Sequence, residues 1–144
     1  MQGEYRGTVD SKRRLSLPRK LREHLGLDKK GRSLHLARGL DGCLWLLTPS
    51  QWTDLEDGLG DLRRENYGFG SKQTRAFLRE FYRRSAELTM DSHGRISLPE
   101  SLMALVGIEK DVILIVMPER TELWSADAEP TCDDYDDTAE KLFG

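Results

Sequence analysis

Apolar and polar residues alternate along the chain in two stretches that read almost alike. Residues 10–29 are DSKRRLSLPRKLREHLGLDK and residues 91–110 are DSHGRISLPESLMALVGIEK. Without gaps, 9 of the 20 positions are identical, and the offset is 81 residues. Four more are conservative: Leu15/Ile96, Leu25/Val106, Leu27/Ile108 and Asp28/Glu109. Agreement this dense in a short chain marks a duplication of one small unit. In each copy Leu-Ser-Leu or Ile-Ser-Leu has the period of a half-buried strand. Pro18 and Pro99 stand where a helix begins. Leu21, His24 and Leu25, and in the second copy Leu102, Leu105 and Val106, are spaced for one helix face. Gly26 and Gly107 follow as helix-ending residues. Leading strands are expected at Tyr5–Asp10 and Glu87–Asp91. Closing strands are expected at Ser33–Ala37 with Cys43–Thr48, and at Val112–Met117 with Thr121–Trp124.

Between the copies, Pro49–Ser85 has helical periodicity. A first helix carries Trp52, Leu55 and Leu59, with Ser50 or Thr53 as its cap, and Gly58 and Gly60 weaken its end. Asn66-Tyr-Gly-Phe-Gly-Ser reads as a loop. A second helix runs from Ser71 to about Arg84, with an apolar stripe of Phe77, Leu78, Phe81 and Tyr82. Arg75, Arg79 and Arg83 recur on another face. The resulting division is 3–49 for the first unit, 50–85 for the helical insert, 86–126 for the second unit and 127–144 for a tail. The tail holds seven acids against one lysine and is expected to be flexible, with Leu142-Phe143 docking weakly. Units this small cannot bury a sufficient core separately.

Composition narrows the function classes. The chain has 144 residues, 33% of them charged, and a net charge of −3, with a pI near 5.7. No apolar run reaches the ~18–20 residues of a membrane span, and the amino terminus has no apolar signal stretch, which argues against secretion. Cys43 and Cys132 stand far apart without a CxxC, which fits a reducing cytoplasm and argues against a zinc site or a disulfide framework. No Gly-rich phosphate loop, HExxH or GxSxG is present, so no catalytic residues, metal or cofactor are expected. The average acidity speaks against nucleic acid, but it conceals a gradient. Residues 1–40 hold 11 basic and 4 acidic side chains (+7), and residues 91–144 hold 4 and 13 (−9). One positive and one negative surface are expected.

The positive charge concentrates on the first repeated turn. Both turns follow Asp-x-x-x-Arg, as Asp10 with Arg14 and Asp91 with Arg95. An aspartate opening a turn accepts hydrogen bonds from the backbone ahead of it, so Asp10 and Asp91 are read as turn-formers. Gly94 suits a positive φ in the second turn. Arg13 takes that place in the first, at a cost of about 1 kcal/mol if its φ is positive. Lys12, Arg13 and Arg14 in a row suit phosphates, and arginine can also fork onto guanine edges. Arg95 reads equally well as a DNA contact or as a salt-bridge partner of Asp91. Arg19, Lys20 and Arg22 read better as a solvated helix face than as phosphate ligands.

The doubled Asp-Ser-x-x-Arg-(Leu/Ile)-Ser-Leu-Pro segment, the 81-residue offset and the helical insert resemble the bacterial MraZ family over roughly residues 3–126. Each copy is similar to a SpoVT-AbrB unit. The resemblance implies an α+β fold of two tandem swapped-hairpin ββαββ units, joined in an intrachain pseudo-dimer β-barrel with an inserted helical pair. It implies DNA contacts on the hairpins, carried here onto Lys12, Arg13, Arg14 and Arg95. Arg13 departs from the glycine the family favours. The resemblance further implies a cytoplasmic, nucleoid-associated regulator of division and cell-wall genes, including its own promoter. Such a regulator binds tandem repeats of double-stranded DNA as a ring-like homo-oligomer and represses by occlusion. The alternative from a different class is an oligomeric protein-interaction scaffold or antitoxin-like module that uses the acidic tail.

Overall fold

A computed structural model of the chain describes residues 3–27, 31–65 and 71–144. The first copy forms β1 (Gly3–Thr8), β2 (Arg14–Ser16), α1 (Arg19–His24), β3 (Ser33–Arg38) and β4 (Leu44–Leu47). The insert forms α2 (Pro49–Glu65) and α3 (Lys72–Arg83). The second copy repeats the order with β5 (Ala86–Thr89), β6 (Arg95–Ser97), α4 (Glu100–Leu105), β7 (Asp111–Val116) and β8 (Thr121–Ser125). A 3-10 turn at Ala126–Ala128 and the helix α5 (Tyr135–Phe143) end the chain. Residues 28–30, with Asp28 of the repeat, and residues 66–70 of the expected loop lie outside the described residues.

The copies exchange strands. Six antiparallel strands form one sheet in the order β1-β7-β8-β4-β3-β5, and β2 pairs with β6 in a second, two-stranded ladder. The first copy's leading strand β1 therefore lies on the second copy's β7, while β5 lies on β3 of the first. β4 and β8 join the two halves at the centre. The arrangement obeys a pseudo-two-fold axis and leaves neither copy a sheet of its own. Side chains from both fill a single core that includes Leu15, Leu34, Leu44, Ile96, Leu98 and Leu114.

The closed barrel expected from the resemblance is not formed among the described residues. β1 and β5 are the outer strands of the six-stranded sheet, and β2 and β6 pair separately from it. The cause is local. Each Asp turn sends the chain back after β1 or β5, and the first hairpin's two arms are tied by the isolated Val9–Leu15 bridge and by the Asp10 N–H on the Arg14 carbonyl at 2.9 Å. Strands of three residues then pair with each other rather than extending the main sheet.

The helical insert covers part of the outer sheet face. Phe81 packs with Ala37 and Leu47, and Trp45, Trp52, Leu55, Leu59 and Tyr82 gather around them. His35 stacks on Trp52 with ring centroids 4.7 Å apart. Neither Ser50 nor Thr53 caps α2. Thr48 does: its Oγ1 accepts from the Gln51 N–H at 3.2 Å, while Gln51 Oε1 accepts from the Thr48 N–H at 3.0 Å. This reciprocal box satisfies two otherwise orphaned donors. Gly58 and Gly60 do not end the helix, which continues to Glu65. Ser71 caps α3 by accepting from the Thr74 N–H. Of the expected stripe, Leu78 and Phe81 are buried, but Phe77 is exposed. His24 is exposed rather than packed on the α1 face with Leu21. The tail, expected to be flexible, contains α5, and Leu142 and Phe143 are not docked but exposed.

Candidate nucleic-acid interface

Each turn is built by its aspartate. Asp10 Oδ1 accepts from the N–H groups of Lys12 and Arg14, both at 2.9 Å, and Oδ2 accepts from Arg14 Nε at 2.8 Å. Asp91 repeats the pattern with His93, Arg95 and Arg95 Nε, each at 2.9 Å. One carboxylate thus closes the turn and orients the arginine that ends it, through three hydrogen bonds that are all charge-assisted. The hydrogen bond from the Arg95 backbone, aided by the Arg95 side chain and the His93 N–H, holds the Asp91 carboxyl down at about 2. The same interactions from Arg14 and Lys12 lower that of Asp10.

These shifts have a measurable consequence. A carboxyl whose pKa is lower in the folded state contributes stability above its unfolded value, and that contribution is lost as pH falls through the folded one. For Asp91 the window lies between the ordinary 3.8 and about 2. Urea midpoints should therefore decline on acidification through this window, and Asp91→Asn should flatten part of the decline. An identical decline in the variant would remove Asp91 as a source.

The β2–β6 ladder sets the two turns side by side, with Arg14 opposite Ser97, Leu15 opposite Ile96 and Ser16 opposite Arg95. Beyond the ladder, the Leu17 N–H donates to the Gly94 carbonyl at 2.9 Å, and the Leu98 N–H donates to the Arg13 carbonyl at 2.8 Å. The equivalent turn residues Arg13 and Gly94 both have positive φ, 61° and 77°. The strain expected at Arg13 is therefore present in the backbone.

The structure brings Lys12, Arg13, Arg14 and Arg95 onto one end of the molecule. Lys12 and Arg13 are exposed, and Arg14 and Arg95 are half-buried beside their aspartates. His93 joins them, exposed on the second turn. Sequence reasoning placed Arg22 on a solvated face, but it folds against the second turn. A Cβ on Gly94 would lie 2.9 Å from the Arg22 guanidinium carbon. Glycine at 94 therefore serves the backbone and also admits a cation from the first copy's helix. A pattern search could not have found this, because the two residues meet only through the strand exchange.

Among the described residues no cluster of His, Cys, Asp or Glu is arranged to hold a metal ion, and no helix there is long and apolar enough to cross a membrane. Ser92 Oγ and His93 Nδ1 approach to 3.4 Å, but on an exposed tip. Cys43 is buried with its Sγ on the Leu40 carbonyl at 3.2 Å, and burial pushes its thiol up to about 12, away from reactivity.

A family model described as "MraZ protein, putative antitoxin-like" matches residues 1–79 and 81–129. The transcriptional regulator MraZ of Ligilactobacillus salivarius is 37% identical over 146 residues, covering 98% of this chain and 95% of that protein. That of Clostridium tetani is 37% identical over 144 residues, covering 97% and 94%. That of Alkaliphilus metalliredigens reaches 40% over 125 residues, covering 87% and 80%. With a family model spanning both copies and relatives aligned over nearly their whole length, the chain belongs to the MraZ family, a non-enzymatic family whose named members are transcriptional regulators.

Proposed function

We propose that the protein is a sequence-specific, double-stranded-DNA-binding transcriptional regulator, acting as a repressor of division and cell-wall genes and of its own promoter. Lys12, Arg13, Arg14 and Arg95 contact the DNA, with Asp10, Asp91 and Gly94 shaping the turns that present them. The observation that carries this reading is the pairing of two equivalent Asp-x-x-x-Arg turns through β2 and β6. One of those turns holds an arginine in a left-handed conformation that glycine would adopt without strain. A fold has no need of that strain, whereas a cation aimed at a phosphate or a guanine edge does.

One hairpin pair covers only a few base pairs, and each correct pair contributes about 1–3 kcal/mol of discrimination. Promoter selectivity then requires several protomers on repeated sites. A ring-like homo-oligomer on the nucleoid supplies them, because each bound protomer raises the effective concentration of the next. Repression follows from occlusion of the promoter.

A gel-shift series on the protein's own upstream region tests the reading. Binding should weaken steeply with salt, since neutralised phosphates release counterions. Arg14→Ala should lose the shifted complex while its far-UV circular dichroism stays that of the parent. Unchanged binding in that variant would remove Arg14 from the interface. No shift by the parent protein at moderate salt would favour the interaction-scaffold reading.

A further inference from the structure

Of the charged side chains on α1, Arg19, Lys20 and Glu23 are exposed, but Arg22 is half-buried. It leaves solvent for the tip of the other copy's turn. There Gly94 is buried, although its neighbours Ser92 and His93 are exposed. A β-carbon at position 94 would lie 2.9, 2.9 and 3.1 Å from the guanidinium carbon, Nη1 and Nε of Arg22. Three nearly equal distances place that point over the guanidinium plane rather than against its edge. The cation thus lies face-on against Gly94, in the space a side chain at that position would claim. The same piece of the first copy holds Gly94 a second time. The Leu17 N–H donates to the Gly94 carbonyl at 2.9 Å, and the Arg22 N–H donates to the Pro18 carbonyl at 3.0 Å. One short segment, Leu17 to Arg22, therefore grips the glycine both at its carbonyl and on its α-carbon.

We infer that Arg22 is a positioning residue for the second DNA-binding turn: by packing on Gly94 it fixes the backbone from which His93 and Arg95 are presented. This rests on the DNA-binding reading above and adds to it a residue outside the turns. Glycine has more conformational freedom than any other residue, so a turn with glycine at its tip needs an outside restraint to keep one conformation. A site already held in its bound geometry loses less entropy when its ligand arrives. The first turn has no such need, because Arg13 carries its own β-carbon at φ 61° and is exposed. The register of the duplication shows the same asymmetry. At the 81-residue offset Arg13 corresponds to Gly94, and Arg22 corresponds to Met103, which is 8% exposed and belongs to the core. Both arginines therefore lie in the first copy, yet the strand exchange gives one to each turn. Arg13 serves the first from within, and Arg22 serves the second from across the molecule.

Full-length Arg22→Met, Arg22→Lys, Gly94→Ala and the double variant Arg22→Met with Gly94→Ala test this. Affinity for the promoter fragment is titrated at fixed salt, well below the unfolding temperature, and the backbone amide NMR signals of His93 and Arg95 report the turn. Circular dichroism checks that each variant is folded, and if Gly94→Ala is not, the two Arg22 variants decide alone. Arg22→Met and Gly94→Ala should each weaken binding roughly tenfold, an ordinary size for coupling between touching residues. Both should shift the His93 and Arg95 amides. The double variant should bind about as the weaker single one does, because both changes remove the same contact. Arg22→Lys should behave as Arg22→Met does, since lysine keeps the charge but has no planar face. Parental affinity in Arg22→Met, unmoved amides, or losses that multiply in the double variant would overturn the positioning role. Parental affinity in Arg22→Lys would overturn it as well, and would make Arg22 a charge acting on phosphate directly. A parent protein that does not bind the fragment at moderate salt would overturn the DNA-binding reading instead. His93 and Arg95 amides that still move in Arg22→Met would then keep Arg22 as the brace of the turn.

Discussion

The Arg13→Gly variant is expected to be more stable than the parent and to bind the promoter fragment more weakly. Arg13 has φ 61°, a conformation that costs a non-glycine residue about 1 kcal/mol. Glycine adopts it freely. Relief of that strain should raise the thermal midpoint by about 3 °C for a chain of this length. No hydrogen bond of the turn is lost, because the Arg13 N–H and carbonyl bond Asp10 and Leu98 through the backbone. Affinity should move the other way. A correctly placed arginine contributes about 1–3 kcal/mol, so its removal should weaken binding roughly 5- to 150-fold. Calorimetry and a titration at fixed salt measure the two effects on one preparation. Higher stability with unchanged affinity would mean that Arg13 is not part of the interface. Opposite signs would show why an arginine is kept where glycine fits better.

Truncating the ladder that holds the turns together should be far more damaging. Leu15 and Ile96 are opposite each other in the β2–β6 pairing and fully buried. Leu15→Ala and Ile96→Ala should each destabilise by about 2–5 kcal/mol, the transfer loss plus the cavity left behind. That is a large share of the ~5–15 kcal/mol that keeps a domain folded. Because both copies contribute to one core, either substitution should lower the urea midpoint of a single transition rather than release one half. The double variant should fall short of the sum, since the two side chains share one environment. Two separate transitions, or a loss below about 1 kcal/mol for either variant, would contradict a shared core built on this ladder.

Most of the candidate site could be read from residue order because it is made locally. Asp10 and Arg14 are four residues apart, as are Asp91 and Arg95, and the bonds joining them lie within their own turns. The positive φ at position 13 could be inferred from Gly94 in the equivalent place of the other copy. Helix starts were less legible. Thr48 rather than Ser50 caps α2, since several small polar residues precede Trp52 and only geometry selects among them.

What residue order determined by itself is the duplication, the two Asp-x-x-x-Arg turns and the strongly positive first copy. These are properties of neighbouring residues, carried by spacing and charge. Tertiary structure decided what depends on contacts between distant segments. Strand exchange sets β1 on β7 and β5 on β3, an outcome the alternating pattern permits but does not distinguish from pairing within each copy. That exchange places the two turns together and folds Arg22 against Gly94. It also leaves β1 and β5 as the outer strands of an open sheet in place of the expected closed barrel. Phe77, in register with the buried Leu78 and Phe81, stays half exposed with its ring stacked on that of Phe81. The physical reason is common to all of these. Burial is settled by where the whole chain supplies partners, whereas a local pattern states only which side chains need them.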